Sequence, residues 1–114
     1  MTDVPFRVEP TATPGDAPLG YEPPRDGRAR LTVRAGQRPT GGHSISVMRI
    51  TRSGPRLTVS CAVRAPAPGA IVTQVLTFPA QTVSIDESLI RGIRDAVLVD
   101  QTGAELAHVG RISA

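Results

Sequence analysis

No long stretch of this chain is free of glycine or proline: eleven of each are spread through its 114 residues. Proline removes a backbone donor and clashes inside a helix, and glycine weakens one, so a helix bundle and a coiled coil are both excluded. The length is that of a single domain. The longest uncharged run, residues 65–85, contains Pro66, Pro68, Pro79 and several polar residues, so it does not read as a membrane-crossing helix.

Between these breakers the apolar residues recur with a period of two. Arg28, Arg30, Thr32 and Arg34 alternate with Ala29, Leu31, Val33 and Ala35, which gives a strand with one polar and one apolar face. Residues 44–52 and 56–64 read as a hairpin about Ser53-Gly54-Pro55. Further strands are expected over residues 70–78 and 81–85, and a second hairpin over 95–100 and 104–109 about Gln101-Thr102-Gly103. Asp86 can cap a short helical segment within residues 86–92. The expected fold is all-β: a small immunoglobulin-like β-sandwich or partly closed barrel of six to eight short strands, with that one short helix. Its inward residues are Leu31, Val33, Leu57, Val59, Cys61, Val63, Val72, Leu76, Phe78, Val83, Ile85, Val97, Val99 and Leu106. With two Phe, one Tyr and no Trp, the core is aliphatic and thin.

Residues 1–27 carry six prolines and little apolar periodicity, and read as an extended arm with a short strand at Phe6-Arg7-Val8 and an anchor at Tyr21. The β domain then spans residues 28–114. Cys61, the single cysteine, excludes an internal disulfide and alternates in phase with Leu57, Val59 and Val63, so it reads as a buried small hydrophobe. The Met-Thr-Asp-Val-Pro start has neither a basic nor an apolar leader region. As given, the chain reads as cytoplasmic, or as secreted or envelope-associated if it is a processed mature form.

All thirteen basic residues are arginine, and they are unevenly placed. Residues 1–24 sum to −3, residues 25–64 to +8 and residues 65–114 to −2, so a basic block lies between acidic ends. Arg28, Arg30 and Arg34 share one strand face and Arg56 and Arg64 another; if those strands neighbour each other, the result is one basic patch.

The turn Gly36-Gln37-Arg38-Pro39-Thr40-Gly41-Gly42-His43 and the later segment from Pro66-Ala67-Pro68-Gly69 through Val72-Thr73-Gln74-Val75-Leu76-Thr77-Phe78-Pro79 to Val83-Ser84-Ile85 resemble the C-terminal domain of the PrcB family, with its "GxxPTGGY" turn and "PxPGxxVTQxLTxPxxxVxI" segment. The resemblance covers about residues 35–85; His43 replaces the family's aromatic, and residues 86–114 lie outside it. It implies an accessory module of a protease complex, because the family is named for a lipoprotein subunit of a secreted spirochaete protease. The same turn is also similar to the "NPTTGY" loop of chagasin-type cysteine protease inhibitors, though the Asn, the second Thr and the Tyr are missing here.

Only two histidines are present, and no HxH, HExxH or DxD spacing, so neither catalytic residues nor a metal or other cofactor is expected. Nucleic acid is disfavoured as partner, because single-strand readers need stacking aromatics and the basic block has none. The expected role is non-enzymatic: binding another protein, a protease being one candidate, with Arg38, Pro39, Thr40, Gly41, Gly42, His43, Pro66, Pro68 and Gly69 on the contact surface. Self-association through an edge strand is a variant, and a chagasin-like inhibitor or an Arg-patch polyanion binder are the alternatives.

Overall fold

A computed structural model of the chain describes residues 1–112, so the last two residues of the expected β domain lie outside the described residues. It shows nine strands: β1 (Thr2–Asp3), β2 (Arg7–Val8), β3 (Leu19–Arg25), β4 (Arg28–Arg34), β5 (Ser44–Ser53), β6 (Arg56–Arg64), β7 (Ala80–Asp86), β8 (Asp95–Val99) and β9 (Glu105–Val109). They form two sheets, one in the order β1-β5-β6-β8-β9 and one in the order β2-β7-β4-β3, which pack as a sandwich and do not close into a barrel. Every pairing is antiparallel except β6 with β8, because the chain leaves the first sheet after β6, adds β7 to the second and returns. The one helical element among the described residues is a 3₁₀ turn, Glu87–Leu89, where Asp86 accepts a 2.9 Å hydrogen bond from the Ser88 amide. Among the described residues no helix is long and apolar enough to cross a membrane.

The expected hairpin about Gly54 is present: Ser53 pairs with Arg56, and Gly54 at φ +58° occupies the position where a two-residue loop needs glycine. The alternation along β4 and β6 also holds, with Leu31, Val33, Leu57, Val59 and Cys61 all in the core. Burial pushes the Cys61 thiol pKa upward, as suits a packing residue rather than a nucleophile.

Four readings are corrected. Residues 70–78 are not a strand: they form an irregular loop with one isolated bridge, Thr77 to Arg38, and Leu76 and Phe78 are exposed while Val72 is only half-buried. In β8 and β9 the face packed into the core cluster carries Ala96, Leu98, Ala107 and Val109 rather than Val99 and Leu106, while Val97 is buried as expected but lies outside that cluster. Both phases of Ala96-Val97-Leu98-Val99 are apolar, so the sequence leaves the facing open; pairing of Leu57 with Ala96 and Val59 with Leu98 fixes it. Residues 1–27 are not a separate arm. Val4 is buried in the core, β1 and β2 add to opposite sheets, and β3 forms a hairpin with β4 across Asp26-Gly27, both at positive φ. Finally, β4 and β6 lie in different sheets, so the arginines on their outer faces do not meet.

Candidate partner-binding loops

The sandwich has two kinds of end. At one, β3–β4 and β5–β6 reverse in two residues, and the 3₁₀ turn joins β7 to β8. At the other lie the two long connections, residues 35–43 between β4 and β5 and residues 65–79 between β6 and β7, beside the β8–β9 turn and the approach to β3.

The two long loops hold each other. Arg38 and Thr77 exchange both backbone hydrogen bonds at 2.8 Å, the Gly41 amide donates to the Thr73 carbonyl at 3.0 Å, and the Thr77 hydroxyl donates to the Thr40 carbonyl at 2.8 Å. The Thr40 hydroxyl and His43 Nε2 are 3.3 Å apart. Glycine is required at two adjacent points. A Cβ on Gly41 would stand 2.5 Å from Thr73 Oγ1, and one on Gly42, whose φ is +84°, would stand 2.8 Å from Pro66 Cγ. The PTGG turn and the later segment, found as two separate motifs in sequence, are thus the two halves of one packed unit.

This unit exposes apolar side chains. Among the described residues nine large hydrophobics are exposed, and four of them, Ile71, Val75, Leu76 and Phe78, fall in one loop. Sequence reasoning assigned all four to one strand, and Leu76 and Phe78 to its inward face, because an apolar run between prolines looks like a strand. Pro39, Pro68 and Gly69 are exposed and Pro66, Thr40, Gly41 and His43 half-buried, so the expected contact residues sit together at the loop end. The two loops carry no acidic residue; Arg38, His43 and Arg64 lie in them or at their base.

Several of the other arginines are committed to local partners. Arg34 donates from Nη1 to the Ala17 carbonyl (2.8 Å) and from Nη2 to the carbonyls of Thr13 (2.8 Å) and Pro14 (3.2 Å), fastening residues 12–18 across the outer face of the second sheet. Arg28 donates to the Ser84 hydroxyl and carbonyl, and Arg30 lies opposite Ser84 and Glu22 in register. On the opposite sheet Arg56 donates twice to Asp95 Oδ2, which also lies 2.9 Å from His108 Nε2. These contacts, Arg56 first, hold the Asp95 carboxyl below its ordinary pKa. Arg64 is exposed at the end of β6. Gln101, which sequence reading treated only as turn residue, pairs its amide with both backbone groups of Val63 (3.1 and 2.9 Å) and so extends the ladder where β8 stops.

Architecture and loops together define a small β-sandwich module with a preformed loop pair at one end. The PrcB C-terminal family model matches residues 31–86, so this stretch is similar to that family, and the match covers both loops with most of the strands that carry them. No curated protein and no solved structure matches the chain.

Proposed function

We propose that this chain is a non-enzymatic protein-binding module that docks a partner through the loop pair of residues 36–43 and 65–79. The observation carrying this reading is the clustering of Ile71, Val75, Leu76 and Phe78 on a loop whose backbone is pinned by the PTGG turn. An apolar loop held in one shape loses little conformational freedom on docking, which favours association. The accessible surface is 6773 Å², against roughly 6000 Å² for a compact monomer of this mass. A chain with surface in excess of that is one that gains by having part of it covered. What the PrcB resemblance implies, an accessory role in a protease complex, is the setting that this reading adopts.

Arg28, Arg30 and Arg34 stand on one side of the sandwich and Arg56 and Arg64 on the other, which weighs against a single polyanion-binding patch. The test is a comparison of full-length wild type with the Ile71→Asp and Phe78→Asp variants, as bait in extracts of the native host. Specific partners retained by wild type should be lost by both variants while the thermal midpoint stays unchanged. An identical set of captured proteins would defeat the assignment of this surface, and inhibition of a cysteine protease panel by the purified chain would move it to the inhibitor class.

A further inference from the structure

Beside the loop pair lies a cleft of about 350 Å³ between the approach to β3, the start of the β4–β5 loop and β9. Its apolar lining comes from Ala35, Ile45, Val63 and Leu106. Leu106 is the extra residue of a bulge, since Leu98 pairs with Ala107 and Val99 with Glu105, and this irregularity accompanies its place in the cleft instead of in the core.

The polar lining is more telling. Arg34 and Arg38 both reach this cleft, and each has its Nε buried without a hydrogen-bond partner. Arg34 is immobilised through both Nη atoms by the carbonyls described above. Arg38 has no side-chain hydrogen bond or ion pair among the described residues, although Asp16 and Asp100 line the same cleft. Only the Nε–H of half-buried Arg38 is withdrawn from water and left without an acceptor; a buried donor in that state is disfavoured, and a carboxylate is the acceptor that a guanidinium's planar fork fits best.

We propose that this cleft takes the carboxyl-terminal aliphatic residue of a partner polypeptide, with the side chain against Ala35, Ile45, Val63 and Leu106 and the terminal carboxylate on Arg38. The proposal rests on the reading of the chain as a protein-binding module and names what that partner presents. The anion and the apolar group must arrive together, because guanidinium and aliphatic wall belong to one small cleft, and a chain-terminal residue carries both. Asp16 and Asp100 distinguish a peptide from a simple aliphatic acid, because they offer acceptors to backbone N–H groups that a fatty acid lacks. Asp100 already receives the amides of Thr102 and Ala104 on Oδ1, so its carboxylate is fixed in place.

The probes are acetyl-Gly-Gly-Leu as the free acid, the same peptide as its carboxyl-terminal amide, and octanoate, each titrated into the ¹⁵N-labelled full chain. The free acid should bind with about millimolar affinity, the range for so small a ligand, and shift the amides of Ala35, Arg38, Ile45, Val63 and Leu106 together with the Arg38 Nε–H signal. The amide should bind about tenfold more weakly, the loss of a charge-assisted hydrogen bond. Arg38→Gln should remove the difference between acid and amide, and Leu106→Ser should weaken both equally; the dispersed spectrum of each variant checks that it folds. Equal binding of acid and amide, or no saturable shift at the cleft, overturns the proposal. Octanoate binding as tightly as the peptide acid overturns the polypeptide assignment. Each of these results leaves the Ile71→Asp capture comparison standing, so the ligand class and the binding role fail separately.

Discussion

At the tight end of the sandwich the chain turns at Asp26-Gly27 and Gly54-Pro55 and plugs the gap between the sheets with Ile90, Ile93 and Ile112, all buried. At the opposite end, residues 65–79 leave Ile71, Val75, Leu76 and Phe78 in solvent. Apolar residues thus occur at both ends with opposite fates. Polar contacts differ in kind as well. The tight end is cross-tied: the Arg94 amide donates to Pro55 (2.7 Å), Glu87 to Gly27 (3.0 Å) and Ile112 to Arg94 (2.8 Å), while Arg52 reaches the carbonyls of Gly54, Leu89 and Arg91. The loop end is held mainly by the two loops on each other. Stability is concentrated at one end, which leaves the other free to expose surface for a partner.

The sharpest way to break this contrast is to truncate one isoleucine at each end. Ile93→Ala removes a fully buried side chain and should cost about 3 kcal/mol, whereas Ile71→Ala removes a fully exposed one and should fall within about 0.5 kcal/mol of wild type. Urea unfolding measures both. A comparable loss at Ile71 would mean that the loop belongs to the core.

A finer test asks whether the loop pair is a packed unit. Gly42 and Gly103 both have φ near +85°, but a Cβ at Gly42 meets Pro66 and Val72 while one at Gly103 meets nothing within 4 Å. Gly103→Ala therefore reports backbone strain alone, about 1 kcal/mol. Gly42→Ala should cost about 1 kcal/mol more, from overpacking. Equal costs would show that the two loops separate freely.

These ends were unequally legible in the sequence. Gly54-Pro55 announced its hairpin, and the strict alternation of β4 and β6 gave the core of both sheets. Asp26-Gly27 carried an equally strong hairpin signal, but Pro23-Pro24 just before it drew the reading toward an arm. Those prolines are tolerated because β3 is an edge strand with a register shift between Glu22 and Arg25. In β5 the apolar positions Ile45, Val47 and Ile50 break period two, and the bulge at Met48 is the reason. The candidate site was read as two motifs, the Arg38 to His43 turn and the Pro66 to Gly69 loop, on one contact surface, but Ile71, Val75, Leu76 and Phe78 were placed in a strand instead of on that surface. The meeting of the two motifs depends on the crossover from β6 to β7, which nothing local in the sequence encodes. The single basic patch failed for the same cause: alternation assigns a face to Arg28 and Arg56 but not a sheet.

Arg34 links the loop end to residues 12–18, and its removal tests how far that end depends on a single side chain. Arg34→Met should keep the aliphatic stem and lose the contacts to Thr13, Pro14 and Ala17, costing about 1 kcal/mol because they are largely solvent-exposed. Hydrogen exchange at Thr13, whose amide donates to Thr82 Oγ1 at 2.9 Å, should quicken while β5 and β6 stay protected. Global loss of protection would mean that these residues support the whole fold.

The smallest expected effect concerns acid. Asp86 at the tight end, Asp100 at the loop end and Asp95 on β8 all have carboxyls held below their ordinary pKa. The leading causes are the Ser88 hydroxyl, the Thr102 hydroxyl and Arg56, respectively. A depressed folded-state pKa contributes stability that is complete above the unfolded value of about 3.9 and is lost as pH falls through the folded one. The urea midpoint should therefore be insensitive to these groups near neutrality and decline below about pH 4, and the Asn variants should decline less steeply. The two ends should still differ. Asp86→Asn loosens the cap of the 3₁₀ turn that carries Ile90 inward, so it lowers the midpoint of the whole domain. Asp100 instead receives Thr102 and Ala104 within its own turn, so Asp100→Asn should quicken exchange at those two amides and leave the midpoint nearly unmoved. If Asp100→Asn lowered the midpoint as much as Asp86→Asn, the division of the sandwich into a stabilising end and a presenting end would not hold.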